Sequence, residues 1–140
     1  MNIYKSKYCE LVVLEDLEAL CEKWQIANCP FEEFKFISET ILKSCKDFKI
    51  KNLIIDASDA ISYLPDESQE YLDTVFNKQI LYETELKTII LISPESLVTR
   101  ISSDRFFENI TSSEHGIYII KLRSYADSIN WLKSTKKDSQ

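Results

Sequence analysis

Residues 52–69 read NLIIDASDAISYLPDESQ: a short apolar run, Leu53-Ile54-Ile55, ends in Asp56, and a polar loop leads to Pro65 and the start of a helix. Strand, loop and helix in that order make the repeating unit of an α/β domain. Because the run is continuous and does not alternate with polar residues, the strand is predicted to be buried on both faces, as parallel strands under helices are. Two runs downstream repeat the pattern, residues 88–92 (TIILI) and 117–122 (IYIIKL), the second set off by Gly116. Upstream, residues 3–4, 8–14 and 19–26 read as strands, with Glu15, Asp16 and Glu18 around Leu17 as the turn. The predicted fold class is therefore α/β: a mixed β-sheet with an antiparallel N-terminal hairpin followed by βαβαβα. A single domain is expected over residues 1–133, with a polar tail over 134–140.

The helices follow from their start signals and apolar spacing. Pro30 is placed as a first helical residue, with Glu32 and Glu33 complementing the positive end of a helix that runs to about Phe48. Its stripe is Phe31, Phe34, Ile37, Ile41, Cys45 and Phe48, one helical face of core type. Lys43, Lys46, Lys49 and Lys51 gather where cations suit the dipole. A second helix is predicted from about Asp66 to Glu83, with Asp66 as N-cap, Gln69 as its reciprocal partner, and Leu72, Val75, Phe76 and Ile80 facing inward. Ser93-Pro94-Glu95 opens a third, whose middle is polar, and Ser124 with Asp127 caps a last helix carrying Ile129, Trp131 and Leu132. On the third strand Leu20, Glu22, Trp24 and Ile26 share a face, so Glu22 interrupts an otherwise apolar surface. Trp24 is assigned to the core, where sheet meets helix.

Composition removes several function classes. The chain has 140 residues, enough for roughly two-thirds of the unfolded surface to be buried on folding. A single glycine, Gly116, leaves no phosphate-cradling loop, no dinucleotide fingerprint and no nucleophile elbow, each of which needs several. Acidic residues outnumber basic ones by 23 to 17, and the net charge of −6 disfavours nucleic acid or an anionic membrane as partner. No apolar run approaches the roughly 20 residues of a membrane span, and the first residues lack a signal-peptide pattern, so a cytoplasmic protein without membrane insertion is expected. Cys9, Cys21, Cys29 and Cys45 fall at irregular spacings and are expected as reduced, buried thiols. With His115 the one histidine, no metal site is expected, and no cofactor.

Four features carry a family resemblance: the aromatic-bearing strand around Trp24; Glu32-Glu33-Phe34 opening the first helix; Leu53-Ile54-Ile55-Asp56 with its loop into Pro65-Asp66-Glu67; and the closing Ser124-Tyr125-Ala126-Asp127 to Trp131-Leu132. In these the chain resembles the SpoIIAA-like branch of the STAS domains, in the short bacterial form grouped with SEC14-like lipid-binding proteins. The resemblance implies a mixed sheet with packed helices, and a role in protein interaction or small-ligand binding without bond-making. In the anti-sigma factor antagonists of that family the corresponding helix begins Asp-Ser-x-Gly, and phosphorylation of the serine breaks partner binding. Here Pro65-Asp66-Glu67-Ser68-Gln69 has no serine after the Asp and no glycine, and two carboxylates beside Ser68 would repel a phosphate. The phosphoswitch is not carried over.

Ligands of open α/β sheets lie beyond the carboxyl ends of the strands, an edge formed here by Asn28 and Cys29, by Asp56, Ser58 and Asp59, by Ser93, and by Arg123 and Ser124. A carboxylate closing an apolar strand must be solvated or hydrogen-bonded, and Asp56 either accepts N–H bonds from its own loop or faces a ligand. Asp56 with Asp59 has the form of an acid–base pair, but no histidine is at hand, and Ser58, Ser93 and Ser124 lack an activating base; no catalytic residue is assigned. Arg100 and Arg105 read as a holder of an anion or an acidic partner or, more commonly for exposed arginines, as a solvated face. Tyr63, Leu64, Tyr71 and Tyr82 read as packing over a helix entrance or as an aromatic interface patch. The expected binding surface is Asp56, Ser58, Asp59, Tyr63, Leu64, Asp66, Ser68 and Tyr71, its partner another protein or a second copy of the chain. The alternative is a carrier of a small apolar or acyl ligand held near Phe34, Trp24, Phe76 and Phe107. A hydrolase using Asp56 is the third reading.

Overall fold

The computed structural model describes residues 1–60, 64–92 and 116–138. The helix expected after Ser93, with Arg100, Arg105 and Phe107, lies outside the described residues, as do Tyr63 and His115. Six strands, β1 (Asn2–Lys5), β2 (Cys9–Leu14), β3 (Ala19–Trp24), β4 (Asn52–Asp56), β5 (Thr88–Ile92) and β6 (Tyr118–Leu122), form one mixed sheet in the order in which they occur along the chain. The first three are antiparallel neighbours, and β3 to β6 run parallel. The class is thus the expected α/β with a mixed sheet.

Alternation of side chains fills two layers. Leu20, Leu53, Ile89 and Ile119 form one row across four strands, and Cys21, Ile54, Ile90 and Ile120 form the next row on the opposite face. On the first face lie α1 (Phe31–Asp47) and the helical stretch made of α2 (Asp66–Tyr71), a π-helical segment (Leu72–Phe76) and α3 (Asn77–Glu83). On the second lies α4 (Tyr125–Asp138), through Leu132 with Ile129 and Trp131. Lys136 Nζ ties α4 to the carbonyl of Asp16 in the 3-10 turn Glu15–Leu17 that joins β2 to β3.

Several local expectations are revised. β3 ends at Trp24, because Gln25 and Ile26 turn their N–H groups to the Tyr8 carbonyl (2.8 and 3.2 Å). Pro30 and Pro65 both have extended ψ and take the N-cap position, so α1 begins at Phe31 and α2 at Asp66. Asp66 is therefore the first helical residue and not the cap, and the Gln69 amide instead donates to Asp73 Oδ1 at 3.0 Å. Asp66 and Glu67 still face the positive end of the helix dipole.

Phe48 closes the expected stripe of α1 but is 40 % exposed. The chain leaves α1 through Lys49 at φ 51°, with Lys49 and Ile50 N–H groups bonded to the Lys46 and Cys45 carbonyls, and Ile50 enters the core in its place. Val75, expected inside, is 39 % exposed because the wider π turn rotates it off the face that keeps Leu72 and Phe76 buried. At the other end of the chain α4 continues to Asp138, so residues 134–138 are helical where a tail was expected. Its start is as expected: Ser124 Oγ accepts the Asp127 N–H at 3.1 Å.

Candidate functional site

Between the first face of the sheet and the helices above it lies a cavity of about 90 Å³. Its floor comes from β3, β4 and β5 (Glu22, Trp24, Ile55, Leu91), its roof from α1 and the π-helical segment (Phe34, Ser38, Ile41, Leu72, Phe76). Ala27, Ala57 and Ala60 border it, and their short side chains leave the space open. The volume is well above the roughly 10–15 Å³ that one water needs and below the roughly 150 Å³ of an engineered cavity that takes benzene.

Glu22 is the one ionisable side chain among the described lining residues, and it is 7 % exposed. Pairing in the sheet sets it between Leu11 of β2 and Ile55 of β4. Two residues on, and therefore on the same face, Trp24 donates its Nε1–H to Glu22 Oε1 at 2.9 Å. Glu22 Oε2 is buried without a hydrogen-bond partner among the described residues. Burial pushes the Glu22 carboxyl up to about 7, opposed by the Trp24 N–H, which favours the ionised form. Nearby thiols stay neutral: burial foremost, then the Glu22 charge, pushes Cys45 up to about 12 and raises Cys9 as well. The Trp24 ring lies 5.8 Å from that of Phe34, and Tyr71 stands edge-on to Phe34 at 6.3 Å and to Phe31 at 5.8 Å, an aromatic wall behind the cavity.

The residues singled out from the sequence do not converge on one point. Asp56, 3 % exposed, closes β4 on the opposite face from Glu22. Its Oδ1 accepts the Ser58 N–H at 3.1 Å and the Ser58 hydroxyl at 2.6 Å, so the pair forms a turn of its own. Tyr125 is its neighbour there: burial, with smaller contributions from Cys21 and Asp56, raises the Tyr125 hydroxyl. Asp59 is exposed and forms a 3.6 Å ion pair with Lys23, and Asp66 is exposed on α2. Ser68 is 1 % exposed, its Oγ buried without a hydrogen-bond partner among the described residues. Of the described residues in that set, only Leu64 lines the cavity, with Tyr71 packed behind it through Phe34. By contrast, three of the four aromatic residues named for a carrier, Phe34, Trp24 and Phe76, line the cavity, and the fourth, Phe107, lies outside the described residues.

Sequence reasoning marked Glu22 as a break in an apolar face and assigned it no role. The signal was present, a lone carboxylate among Leu20, Trp24 and the apolar runs of neighbouring strands, but only the helices over it make it a buried group. Comparisons of the chain with protein-family models, with curated proteins and with solved structures find no match. Among the described residues no helix is long and apolar enough to cross a membrane, and no group of three or more His, Cys, Asp or Glu is placed to hold a metal ion.

Proposed function

We propose that this chain is a non-enzymatic binding module that holds a small, largely apolar ligand between its sheet and α1. One observation carries the proposal: Glu22 lines an apolar cavity, and one oxygen of its buried carboxylate, Oε2, has no hydrogen-bond partner among the described residues. Native proteins satisfy nearly all their buried polar atoms, because an unpaired one costs about 1–3 kcal/mol. A ligand with an apolar body and one polar group would fill the space and remove that cost. The resemblance to the STAS and SEC14-like domains supports the same reading, since binding is what that family does, and cytoplasmic residence belongs to the proposal. The size of the cavity argues for a ligand of a few heavy atoms and against a long acyl chain, since ligand sites for larger molecules run to roughly 300–1,000 Å³.

Native mass spectrometry of the protein as purified, with amide spectra recorded on adding small molecules, tests the reading. Retained mass, or shifts centred on Trp24, Phe34 and Leu72, are expected. A bare chain whose cavity amides respond to no member of a panel of small apolar compounds would sink it.

A second reading, capture of another protein or a second copy through the surface from Asp56 to Tyr71, draws on the half-buried Leu64 and Tyr71 beside exposed Asp59 and Asp66. If Tyr63→Asp changes neither self-association in sedimentation nor partner recovery, that surface is not an interface.

A further inference from the structure

The cavity discriminates among ligands by chemistry, and this inference rests on the ligand-binding reading above. We propose that the ligand class is a small alkylammonium ion, with an N–H group bonded to Glu22 Oε2 and its hydrocarbon body against Phe34, Leu72 and Phe76. The geometry supplies three parts of such a site. Glu22 lines the cavity, its Oε2 is buried without a hydrogen-bond partner among the described residues, and its Oε1 is held by the Trp24 N–H at 2.9 Å, which fixes the carboxyl group in place. The rings of Trp24, Phe34 and Phe76 border the same space, and aromatic rings attract cations within about 6 Å. Among the described lining residues there is no lysine, arginine or histidine to pair with the carboxylate.

Desolvation decides whether a buried ion pair is favourable, since each ion loses hydration worth several kcal/mol. Here the fold has already removed Glu22 from water, so binding adds only the desolvation of the ammonium. Among the described residues, the titratable groups that feel the Glu22 charge are the thiols of Cys9 on β2, Cys45 on α1 and the adjacent Cys21 on the other face of β3, all raised by burial and so neutral between pH 5 and 8. A cavity of about 90 Å³ limits the body to a short or branched alkyl chain.

The experiment titrates the intact chain with isobutylamine, isobutanol and xenon, following cavity amides and methyl groups by NMR. At pH 8 isobutylamine is expected to bind at least tenfold more tightly than isobutanol, its near-isosteric neutral counterpart. Affinity for the amine should fall about tenfold per pH unit below 7, since the Glu22 carboxyl takes a proton there while an alkylamine, with a pKa of roughly 10 like lysine, stays charged. Glu22→Gln should remove the preference for the amine. Equal affinity of amine and alcohol at pH 8, or an amine affinity that does not weaken toward pH 5, overturns the inference while leaving the cavity as a neutral-ligand site. Because the pH profile is measured on the unaltered chain, it decides the matter even if the variant folds poorly. Silence of the cavity to all three probes, xenon included, would remove the ligand-binding reading and this inference together.

Discussion

Glu22 makes folding stability depend on pH in a direction opposite to that of most carboxylates. Its ordinary value of 4.5 is raised to about 7 in the folded chain, first by burial and against the Trp24 hydrogen bond. Below pH 4.5 folded and unfolded chains both hold the proton, and Glu22 makes no difference. Between 4.5 and 7 only the unfolded chain releases it, so stability falls as pH rises. Above 7 the ligand-free folded chain carries a penalty of about 3 kcal/mol from this one group. Urea unfolding of the chain and of Glu22→Gln at pH 5 and pH 8 should therefore show the unaltered chain losing about 3 kcal/mol relative to the variant; parallel profiles would mean that Glu22 is solvated. The oddity of Glu22 was legible from alternation along β3, and so was the Asp56 turn from the habits of aspartate at strand ends. That Oε2 has no partner was not, because an orphaned atom is a property of everything packed around it.

Helix 66–83 illustrates what periodicity settles at the level of the element and what it does not. Its existence and its buried Leu72, Phe76 and Ile80 follow from spacing, whereas the π-helical segment that exposes Val75 depends on the sheet and α1 beneath it. Phe76 is buried and borders the cavity, so Phe76→Ala should destabilise by about 3–5 kcal/mol, the cost of joining a new void to an existing one; a thermal unfolding series checks it. Lys49 terminates α1 at φ 51°, a conformation in which glycine has no Cβ penalty. Lys49→Gly is expected to raise stability by about 1 kcal/mol in urea denaturation, and a loss would show that the lysine stem contributes packing that outweighs the backbone term. Nothing in the local sequence announces this left-handed position, since lysine is an ordinary residue for the last turn of a helix.

At the scale of the molecule, consecutive strand order explains how the layers divide. Parallel crossovers share one hand, so moving twice in the same direction across the sheet, from β3 through α1 to β4 and from β4 through α2 and α3 to β5, puts those helices on one face. Among the described residues α4 covers the other face, where Ala19, Cys21, Ile54, Ile90, Ile92 and Leu132 form a second core. All four cysteines lie within these layers as free, buried thiols, with burial raising each one. A thiol reagent at neutral pH should therefore label none of them in the native chain and all four in denaturant, at a rate that follows opening of the fold; rapid native labelling of Cys29 would place the loop before α1 in solvent.

By itself the sequence determined the class, the apolar runs, the Ser124 cap of the last helix and the acidic balance, because these depend on spacing of two or 3.6 residues, on local hydrogen bonding and on composition. It also determined that Glu22 breaks an apolar face. Only the tertiary structure decided that the aromatic residues Trp24, Phe34 and Phe76, on three separate elements, close around that carboxylate, while Asp56 and Ser58 turn inward on each other across the sheet. A cavity is the space that several elements leave unfilled, and no stretch of chain specifies it until strand order and helix placement bring its walls together.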